Sequence, residues 1–365
     1  MSKIVSIATA VPRYQHRQDE ILSFMQNVFA MNEADKRKLR FLYHQSAIKS
    51  RYSVLPDYGL GANDWVFYPA SENLDPFPDL ELRMKWYNDT APQLSIDAIT
   101  QCLEGKIDSQ EITHLITVSC TGMSAPGLDL QIMEAMGLPK NIFRTSVNFM
   151  GCYAAIHALR LADALCKENK NAKIVVVCTE LCTLHFQKEN TVDNITSSLL
   201  FGDGSAALLV TSDYNSLHGL HIKDFYSEVS FKGKKDMSWE LSSSGFLMTL
   251  SGYVADLIEE DFNSLVTNAL AHAHLEKEDI SHWCIHPGGR KILTAIQKSI
   301  NIPESALTES YNTLQEYGNM SSPTILFVLK QIMDALQKDE SKKTNVFAAA
   351  FGPGLTMETF ILAND

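Results

Sequence analysis

Long apolar runs are missing from this 365-residue chain, and none approaches the roughly 20 residues that a membrane-spanning helix needs. The N-terminus, MSKIVSIATAVPRYQ, lacks the longer apolar stretch and the small-residue cleavage site of a secretory signal peptide. Positive charge is scarce too, because the net charge is -12, which excludes a general binder of nucleic acid or anionic membranes. We therefore expect a cytoplasmic globular protein without a membrane span.

The cysteines lack the spacing of a metal site. The chain has seven of them, with no CxxC pair and no Cys/His cluster at zinc spacing. Scattered cysteines in a chain without a signal peptide predict mostly reduced thiols, several of them packed in strands as small apolar residues. We expect no metal.

Two stretches of the chain show the same order of predicted elements. HLITVSCTG predicts a strand, and two helix patterns and the strand IVVVCTE follow it. In the second half, HWCIHPGG, RKILTAIQKSI, PTILFVLKQIMDAL and VFAAAFG have the same order, and Asn319 lies 167 residues after Cys152. This repeat predicts an α/β fold of two pseudo-twofold-related halves, 1–215 and 216–365, whose loops converge on one site.

Cys152 precedes a long apolar helix pattern in GCYAAIHALRLADAL. By local sequence it is either a small residue of the core or a nucleophile at the start of a helix. Gly151 permits an unusual backbone there, and the aligned N–H groups of a helix N-terminus favour a thiolate. The apolar positions of the helix recur at i, i+3 spacing, so we expect it to be buried and the junction to be rigid.

His286 and Asn319 follow predicted elements in the second half. His286, in IHPGG, is either a cap of a turn or an imidazole that pairs with a thiolate and activates it. Asn319, in YGNMSS, is either a helix N-cap or an amide donor to a developing oxyanion. With Cys152 they fit thiol proteolysis or carbon–carbon bond formation on thioesters, and the repeated α/β order disfavours a papain-like protease.

These residues lie in segments that resemble the type III polyketide synthases, the chalcone and stilbene synthase-like branch of the thiolase superfamily. The resemblance runs from about residue 3 to residue 362, and its segments are SAIKSRY, GCYAAIHALRLADAL, LFGDGSAALLV, HPGGRKIL, YGNMSS and FGPGLTMETFIL. It implies a thiolase-like αβαβα layered fold, a homodimer, and an acyltransferase that condenses an acyl-CoA starter with malonyl-CoA. No metal or organic redox cofactor is implied, and the CoA thioesters are substrates.

The resemblance also assigns roles to residues. Cys152 would carry the acyl group, His286 and Asn319 would support decarboxylation of malonyl-CoA, and Phe201 would separate the substrate tunnel from the cavity. Ala125 matches a position in the loop that crosses to the partner subunit in family dimers. Further matched positions line the cavity: Cys120, Ala125, Cys182, His185, Trp239, Met248, Ser321 and Pro353. Basic residues expected near the CoA pyrophosphate are Lys38, Arg40 and Lys49.

The segment MSWELSSSGF around Trp239 looks more like bacterial and fungal members of the family. Many of these convert fatty acyl-CoA starters into alkylpyrones or alkylresorcinols, so we expect iterative condensation followed by closure to a pyrone or resorcinol. The chain departs from the family pattern at Ala350, at Asn-Phe-Met before Gly151 and in GYVADLI, which leaves the product class open. Two alternatives are a single-round ketoacyl synthase that uses an acyl carrier protein and a non-catalytic acyl-CoA-binding relative.

Overall fold

The computed structural model describes residues 2–29, 31–71, 74–212, 217–337 and 343–364. Strands occur throughout these ranges, and a nine-stranded sheet dominates them. The strand bounds are Ser2–Ala10 (β1), Tyr14–Arg17 (β2), Ser50–Ser53 (β3), His114–Ser119 (β4), Phe143–Asn148 (β5), Lys173–Leu181 (β6), Asp203–Ser212 (β7), Leu220–Val229 (β8), Met237–Ser242 (β9), Gly245–Leu250 (β10), His282–Ile285 (β11), Asn345–Gly352 (β12) and Thr356–Ala363 (β13).

The helices alternate with these strands from β4 onward, as the sequence predicts. Among its described residues, the irregular segment before α3 contains short 3-10 turns at Asp57–Gly59 and Ala62–Asp64. The helix bounds are Gln18–Val28 (α1), Glu33–Gln45 (α2), Leu80–Leu103 (α3), Leu128–Met136 (α4), Ala154–Glu168 (α5), Val192–Leu200 (α6), Val254–His272 (α7), Arg290–Ile300 (α8), Thr308–Tyr317 (α9) and Thr324–Leu336 (α10).

The large sheet is symmetric about the boundary between β8 and β1. Its order is β11-β12-β13-β8-β1-β7-β6-β4-β5. In the first half β4 runs parallel to β6, and β6, β7 and β1 are antiparallel neighbours. In the second half β11 runs parallel to β12, and β12, β13 and β8 are antiparallel neighbours. The predicted pair of related α/β halves is therefore confirmed, with β5 as an additional edge strand in the first half.

Helices α5 and α10 are the equivalent buried helices of the two halves. Helix α5 contacts β4, β6, β7 and also β13, whereas α10 contacts β11 and also β1 and β7. The predicted apolar stripe of α5 is confirmed, because Ile156, Leu159 and Ala162 are fully buried. Helix α3 packs on β1, β6 and β7 as part of a separate apolar cluster, so helices cover both faces of the sheet. The residues just before α5 and α10 are consequently anchored by packing from both halves.

The chain passes from one half to the other between β7 and β8. Residues 213–216 of that connection lie outside the described ranges, and the division into 1–215 and 216–365 stays a prediction.

No helix of the described residues combines the length and apolarity needed to cross a membrane. The same residues contain no group of three or more His, Cys, Asp or Glu side chains placed to hold a metal ion.

Candidate active site

Cys152 lies in a single 3-10 turn, Gly151–Tyr153, that leads directly into α5. Gly151 has φ +76°, and a Cβ atom at this position would lie 2.3 Å from Cδ of Pro353. Glycine is therefore required both by the left-handed backbone and by the approach of Pro353, which confirms the expected unusual backbone. The Gly151 N–H also donates to Sγ of Cys120 at 3.1 Å. These contacts fix the Cys152 turn against the loop that follows β4.

His286 directly follows β11. Its N–H donates to the carbonyl oxygen of Ala349 in β12 at 2.9 Å, which extends the pairing of β11 with β12 by one residue. The side chain is buried, and neither ring nitrogen has a hydrogen-bond partner among the described residues. The turn-capping alternative therefore lacks a side-chain hydrogen bond. No hydrogen bond from a described residue therefore selects one tautomer of the imidazole.

The backbone of Asn319 pairs with the segment that carries Phe201. Its N–H donates to the carbonyl oxygen of Leu200 at 2.9 Å, and its carbonyl oxygen accepts from the N–H of Gly202 at 3.0 Å. These two bonds form an isolated parallel bridge between Phe201 and Asn319. The N-cap residue of α10 is Pro323, so Asn319 does not cap that helix.

The side chain of Asn319 joins the two halves of the site. Its Oδ1 accepts from the N–H of Ser321 at 2.8 Å and lies 4.0 Å from Sγ of Cys152. Its Nδ2 donates to the carbonyl oxygen of Gly288 at 3.3 Å. The imidazole of His286 lies beside Gly288, since a Cβ atom built there would be 3.8 Å from Nε2. Both predicted partners of Cys152 thus lie beside Gly288.

Burial sets the protonation of the thiol and the imidazole. It raises the pKa of Cys152 to about 11, although hydrogen bonds with Ser321 and Asn319 lower that pKa and the charge of Glu180 raises it further. Burial lowers the pKa of His286 to about 3. The sequence led us to expect a thiolate favoured by the helix N-terminus; burial opposes that thiolate, and its formation stays a prediction. Loss of water around sulfur outweighs the helix dipole, because a charge buried without a close partner is costly.

Glu180, at the end of β6, is a buried carboxylate that the sequence interpretation missed. It accepts hydrogen bonds from the N–H of Cys120 at 2.8 Å, the hydroxyl of Thr121 at 2.9 Å and the hydroxyl of Ser322 at 2.7 Å. Burial raises the pKa of Glu180 to about 7, although these bonds lower it. Glu180 therefore ties the loop after β4 in one half to the segment after Asn319 in the other.

A cavity of about 850 Å³ of atom-free space, counting its open mouth, adjoins Cys152. Cys152 and Phe201 are on its wall, together with predicted cavity residues from both halves: Cys120, Cys182, His185, Trp239, Met248, Ser321 and Pro353. Residues that the sequence interpretation had not assigned also line it: Ile21, Met25, Arg51, Tyr58, Thr121, Phe186, Asn194, Ser197, Ser198 and Phe246. The structure therefore brings all but one of the predicted cavity residues together.

Three aromatic rings form one wall of this cavity. His185 stacks on Phe246 with ring centroids 4.3 Å apart, and Trp239 meets both rings edge-on. His185 Nε2 donates to the carbonyl oxygen of Thr121 at 2.7 Å, and its Nδ1 accepts from the N–H of Phe246 at 3.2 Å. Trp239 Nε1 donates to the carbonyl oxygen of Cys120 at 2.8 Å. Because each polar atom is occupied, this wall is a shaped surface rather than a source of acid or base.

Ala125 is the predicted cavity residue that the structure places elsewhere. It is exposed, in the loop between β4 and α4, and it does not line the cavity of its own chain. Within one subunit this loop turns outward, and the cavity-wall role of Ala125 stays a prediction. Its contact with a partner subunit stays a prediction.

The three basic residues predicted near CoA also lie outside the cavity. Lys38 and Arg40 are on the exposed face of α2, and Lys38 forms a 3.4 Å ion pair with Asp35. Lys49 is exposed and lines a separate shallow groove with Arg17. Their role in CoA binding stays a prediction.

The missed residues had weak signals in the sequence. Arg51 lies in SAIKSRY, a segment that carried the resemblance but in which only Lys49 was assigned a role, and Phe246 closes the segment MSWELSSSGF. Glu180 ends the apolar run IVVVCTE, where one acidic residue after a buried strand could have been noted. Their functions depend on neighbours from distant segments, and no local pattern specifies those.

The arrangement supports acyl transfer through sulfur. A thiol on the wall of a mostly apolar cavity can hold an acyl group away from water. The Asn319 amide can donate a hydrogen bond to an oxyanion that forms beside the thiol. The His286 ring, whose nitrogens have no hydrogen-bond partner among the described residues, can do the same. The same set is unsuited to metal or phosphate binding, because it offers no carboxylate cluster or basic cradle at the described positions.

Comparison with known proteins agrees with this chemistry. A family model described as "Chalcone and stilbene synthases, N-terminal domain" matches residues 1–214, and the corresponding C-terminal domain model matches residues 227–364. The chain is 27% identical to "Type III polyketide synthase C" of Arabidopsis thaliana, over 99% of this chain and 94% of that protein. It is 29% identical to "Probable polyketide synthase 1" of Dictyostelium discoideum over its whole length, but it spans only 11% of that protein.

Two crystal structures superpose closely on the chain. PKS-I from the brown alga Ectocarpus siliculosus has a TM-score of 0.93 at 26% identity, covering 100% of this chain and 98% of that one. The C-terminal type III polyketide synthase domain of the Dictyostelium hybrid Steely1 has a TM-score of 0.90 at 27% identity, covering 100% and 99%. The predicted thiolase-like layered fold is therefore confirmed.

Proposed function

The chain belongs to the chalcone and stilbene synthase family of type III polyketide synthases, which are acyltransferases, and we propose that it extends a fatty acyl-CoA starter with malonyl-CoA over several rounds. The product closes to a pyrone or a resorcinol-type ring. The proposal is carried by one observation: the Cys152 thiol, on the wall of a mostly apolar cavity, lies 4.0 Å from Oδ1 of Asn319, whose Nδ2 binds the carbonyl oxygen of Gly288 beside the His286 ring.

Loading of the starter is the first step. The sulfur of Cys152 attacks the thioester carbonyl carbon, the bond to CoA sulfur breaks, and the starter becomes a thioester of Cys152. Because burial raises the pKa of the thiol, its proton must pass to a base as the C–S bond forms. Nε2 of His286 accepts that proton and returns it to the departing CoA sulfur, which restores the neutral ring.

Decarboxylation of malonyl-CoA supplies the carbon nucleophile. Loss of CO2 leaves an enolate whose negative charge rests on the thioester oxygen. The N–H groups of His286 and Asn319 donate hydrogen bonds to that oxygen, and such bonds are strong where water is excluded. The neutral state of buried His286 suits this donor role. The enolate then forms a carbon–carbon bond to the acyl carbonyl, and Cys152 leaves as a thiolate that accepts the longer chain.

The residues of the cavity wall affect which starter binds and which path the growing chain takes. Apolar side chains of Ile21, Met25 and Phe186 line the cavity, which suits a fatty acyl chain. Trp239 narrows the cavity where it meets His185, so it directs the growing chain away from that wall. Phe201, as the gating residue, separates this space from the bound CoA. Lys38, Arg40 and Lys49 contact the CoA pyrophosphate in this proposal.

The assembly in which this occurs is a homodimer in this proposal. The edge strand β5 is mostly exposed, and Phe143 presents a large apolar side chain there. Pairing of this face with a second copy would cover it and bring Ala125 toward the partner's cavity. The cytoplasmic location expected from the sequence stays a prediction.

The test is incubation with malonyl-CoA and a ladder of acyl-CoA starters, with products identified by mass spectrometry. We expect several extensions from free malonyl-CoA, most efficiently with fatty acyl starters. A requirement for malonyl on an acyl carrier protein, with one extension only, would favour the single-round ketoacyl synthase. Binding of acyl-CoA without any mass shift at Cys152 would favour the non-catalytic alternative.

A further inference from the structure

Glu358, in β13, is a buried carboxylate outside the wall of the active-site cavity. It pairs with Ala350 of β12 and Ser227 of β8 in the large sheet, and only 3% of the residue is exposed. Nε2 of His157, in α5, donates to Oε1 of Glu358 at 3.0 Å. A buried carboxylate without a donor costs free energy, so this hydrogen bond stabilises Glu358. Because α5 belongs to the first half of the fold and β13 to the second, the bond joins the two halves.

His157 also contacts the turn that carries Cys152. It lies one helical turn after Tyr153, and the centroids of the two rings are 5.4 Å apart. Tyr153 is the last residue of the turn Gly151–Tyr153 and follows Cys152 directly. The side chain of His157 therefore connects the buried carboxylate to the residue beside the nucleophile.

Tyr153 contacts the second half directly as well. Its hydroxyl forms a hydrogen bond with Thr356, which lies two residues before Glu358 on the same face of β13. A Cβ atom at Gly352 would lie 2.5 Å from Cδ1 of Tyr153, so the end of β12 packs closely against the ring. The residue that follows Cys152 is therefore fixed by β12, by β13 and by the histidine that β13 holds.

These contacts determine where the sulfur of Cys152 points. The backbone of its turn is closed by the hydrogen bond from the N–H of Ala154 to the carbonyl oxygen of Gly151, and such short 3-10 turns have poor hydrogen-bond geometry. The orientation of Sγ, 4.0 Å from Oδ1 of Asn319, therefore depends on how the flanking residues pack. A displacement of about 1 Å at a reacting atom can slow a reaction about a hundredfold.

We propose that the hydrogen bond between His157 and Glu358 positions Cys152 for attack on the acyl thioester. His157 is a positioning residue in this role, because it acts through Tyr153 and does not touch the substrate. The inference rests on the proposed function, since that function supplies the reaction at Cys152. It makes the rate of that reaction depend on a pair of residues outside the cavity.

Asp163 provides a matched control on the same helix. It is also buried, its Oδ1 accepts from the hydroxyl of Ser2 in β1 at 2.8 Å, and its Oδ2 accepts from Nζ of Lys167 at 2.6 Å. Asp163 lies further along α5, and neither of these bonds reaches the Cys152 turn. Substitution of His157 or Asp163 by alanine removes one anchor of α5 that involves a buried carboxylate. An effect on Cys152 therefore distinguishes the two variants.

The first experiment follows acylation of Cys152 by intact-protein mass spectrometry at increasing concentrations of an acyl-CoA. We expect His157→Ala to lower the maximal rate about tenfold and to change the half-saturating concentration less than about threefold, since a misplaced nucleophile slows the chemical step more than it weakens binding. Asp163→Ala should retain both values, and urea unfolding measures what each variant loses in stability. A wild-type rate in His157→Ala, or an equal loss of rate in both variants, would overturn the proposal.

Two conservative variants separate the hydrogen bond from the ring contact. His157→Gln keeps an N–H donor for Glu358 and loses the ring, and its maximal rate should return to within about threefold of wild type. His157→Phe keeps a ring beside Tyr153 and loses the donor, and its rate should stay about tenfold low. A wild-type rate in His157→Phe would show that packing alone suffices and would overturn the proposal. These two variants decide the question if His157→Ala does not fold.

Alkylation of Cys152 by iodoacetamide tests the positioning separately from the proposed function, because it needs no thioester. Release of the turn exposes the buried thiol, so we expect His157→Phe to be alkylated at least about threefold faster than wild type, and Asp163→Ala at the wild-type rate. If no acyl-CoA acylates the wild type, the proposed function fails, and this measurement still decides whether His157 positions Cys152. Equal alkylation rates in wild type and His157→Phe would show that it does not.

Discussion

Sγ of Cys152 and Oδ1 of Asn319 lie 4.0 Å apart, although 167 residues separate them in the chain. Cys152 precedes α5 and Asn319 precedes α10, and these helices are equivalent in the two halves. The pseudo-twofold relation therefore brings equivalent loops to one site. We therefore expect substitutions in these loops to reduce activity or stability more than substitutions at matched positions elsewhere in the chain.

Replacement of Cys152 by alanine should abolish every condensation product. The thiol carries the acyl group in each round, and no other cavity cysteine faces Asn319 at this distance among the described contacts. Products are measured by mass spectrometry with malonyl-CoA and a fatty acyl-CoA. Cys284→Ala removes a thiol buried in β11, away from the cavity, and should retain product formation. Persistent product from Cys152→Ala would exclude the covalent mechanism.

Gly151→Ala should inactivate the enzyme and lower its stability. The added Cβ would lie 2.3 Å from Pro353, on a backbone with φ +76°. Gly105→Ala is the matched control, because Gly105 also has a positive φ, +66°, but nothing within 4 Å of the added atom. We expect about 1 kcal/mol of destabilisation at Gly105, from the backbone alone, and several times more at Gly151. Urea unfolding measures both, and equal losses would show that the Pro353 contact is unimportant.

Trp239→Gly should change the length of the products. Removing the ring opens the wall that Trp239 forms with His185 and Phe246, so the growing chain gains space. Trp239→Phe keeps most of the ring volume and loses only the hydrogen bond to the Cys120 carbonyl oxygen. Product masses should shift by malonyl-derived increments in the glycine variant and stay constant in the phenylalanine variant. Unchanged product length in Trp239→Gly would contradict the assigned role.

Alkylation of Cys152 by iodoacetamide should accelerate steadily as pH rises from 6 to 10. Burial raises the pKa of the thiol to about 11, so the reactive thiolate increases about tenfold per pH unit across this range. Mass spectrometry of the peptide containing Cys152 gives the rate, and glutathione alkylated in parallel corrects for the reagent. A plateau near pH 7 would instead indicate a resting ion pair of Cys152 with protonated His286.

Glu180→Gln should remove a pH-dependent component of stability. The pKa of Glu180 is raised from 4.5 to about 7 in the folded protein. Its protonated form therefore stabilises the fold below pH 4.5, and this contribution is lost as pH rises through 7, by roughly 3 kcal/mol in total. The difference in free energy of unfolding between wild type and variant, measured by urea between pH 4.5 and 8, should follow that curve. A constant difference would show that the folded pKa is not raised.

Much of the fold was predictable because it rests on patterns within single segments. The apolar stripe of α5 and the strand–helix order recur along the chain, so the repeat predicted two halves before any contact was known. The site residues Cys152 and Asn319 followed from the same repeat, since equivalent loops of a pseudo-twofold fold meet. The motif HPGG pointed to His286 for a related reason, because it directly follows a buried strand.

The properties of the site that only the tertiary structure decided depend on residues that are distant in the sequence and close in space. The thiol of Cys152 was expected to be acidic, and the cavity formed by both halves raises its pKa instead. Glu180 and Arg51 acquire their hydrogen-bond partners only when distant loops surround them, and Ala125 lies outside the cavity of its own chain. The sequence by itself determined which residues stand at the ends of which elements, because periodicity and turn chemistry are local. Only the tertiary structure decided the protonation of these residues and their contacts. Desolvation and side-chain contacts arise when distant segments of the chain pack against one another.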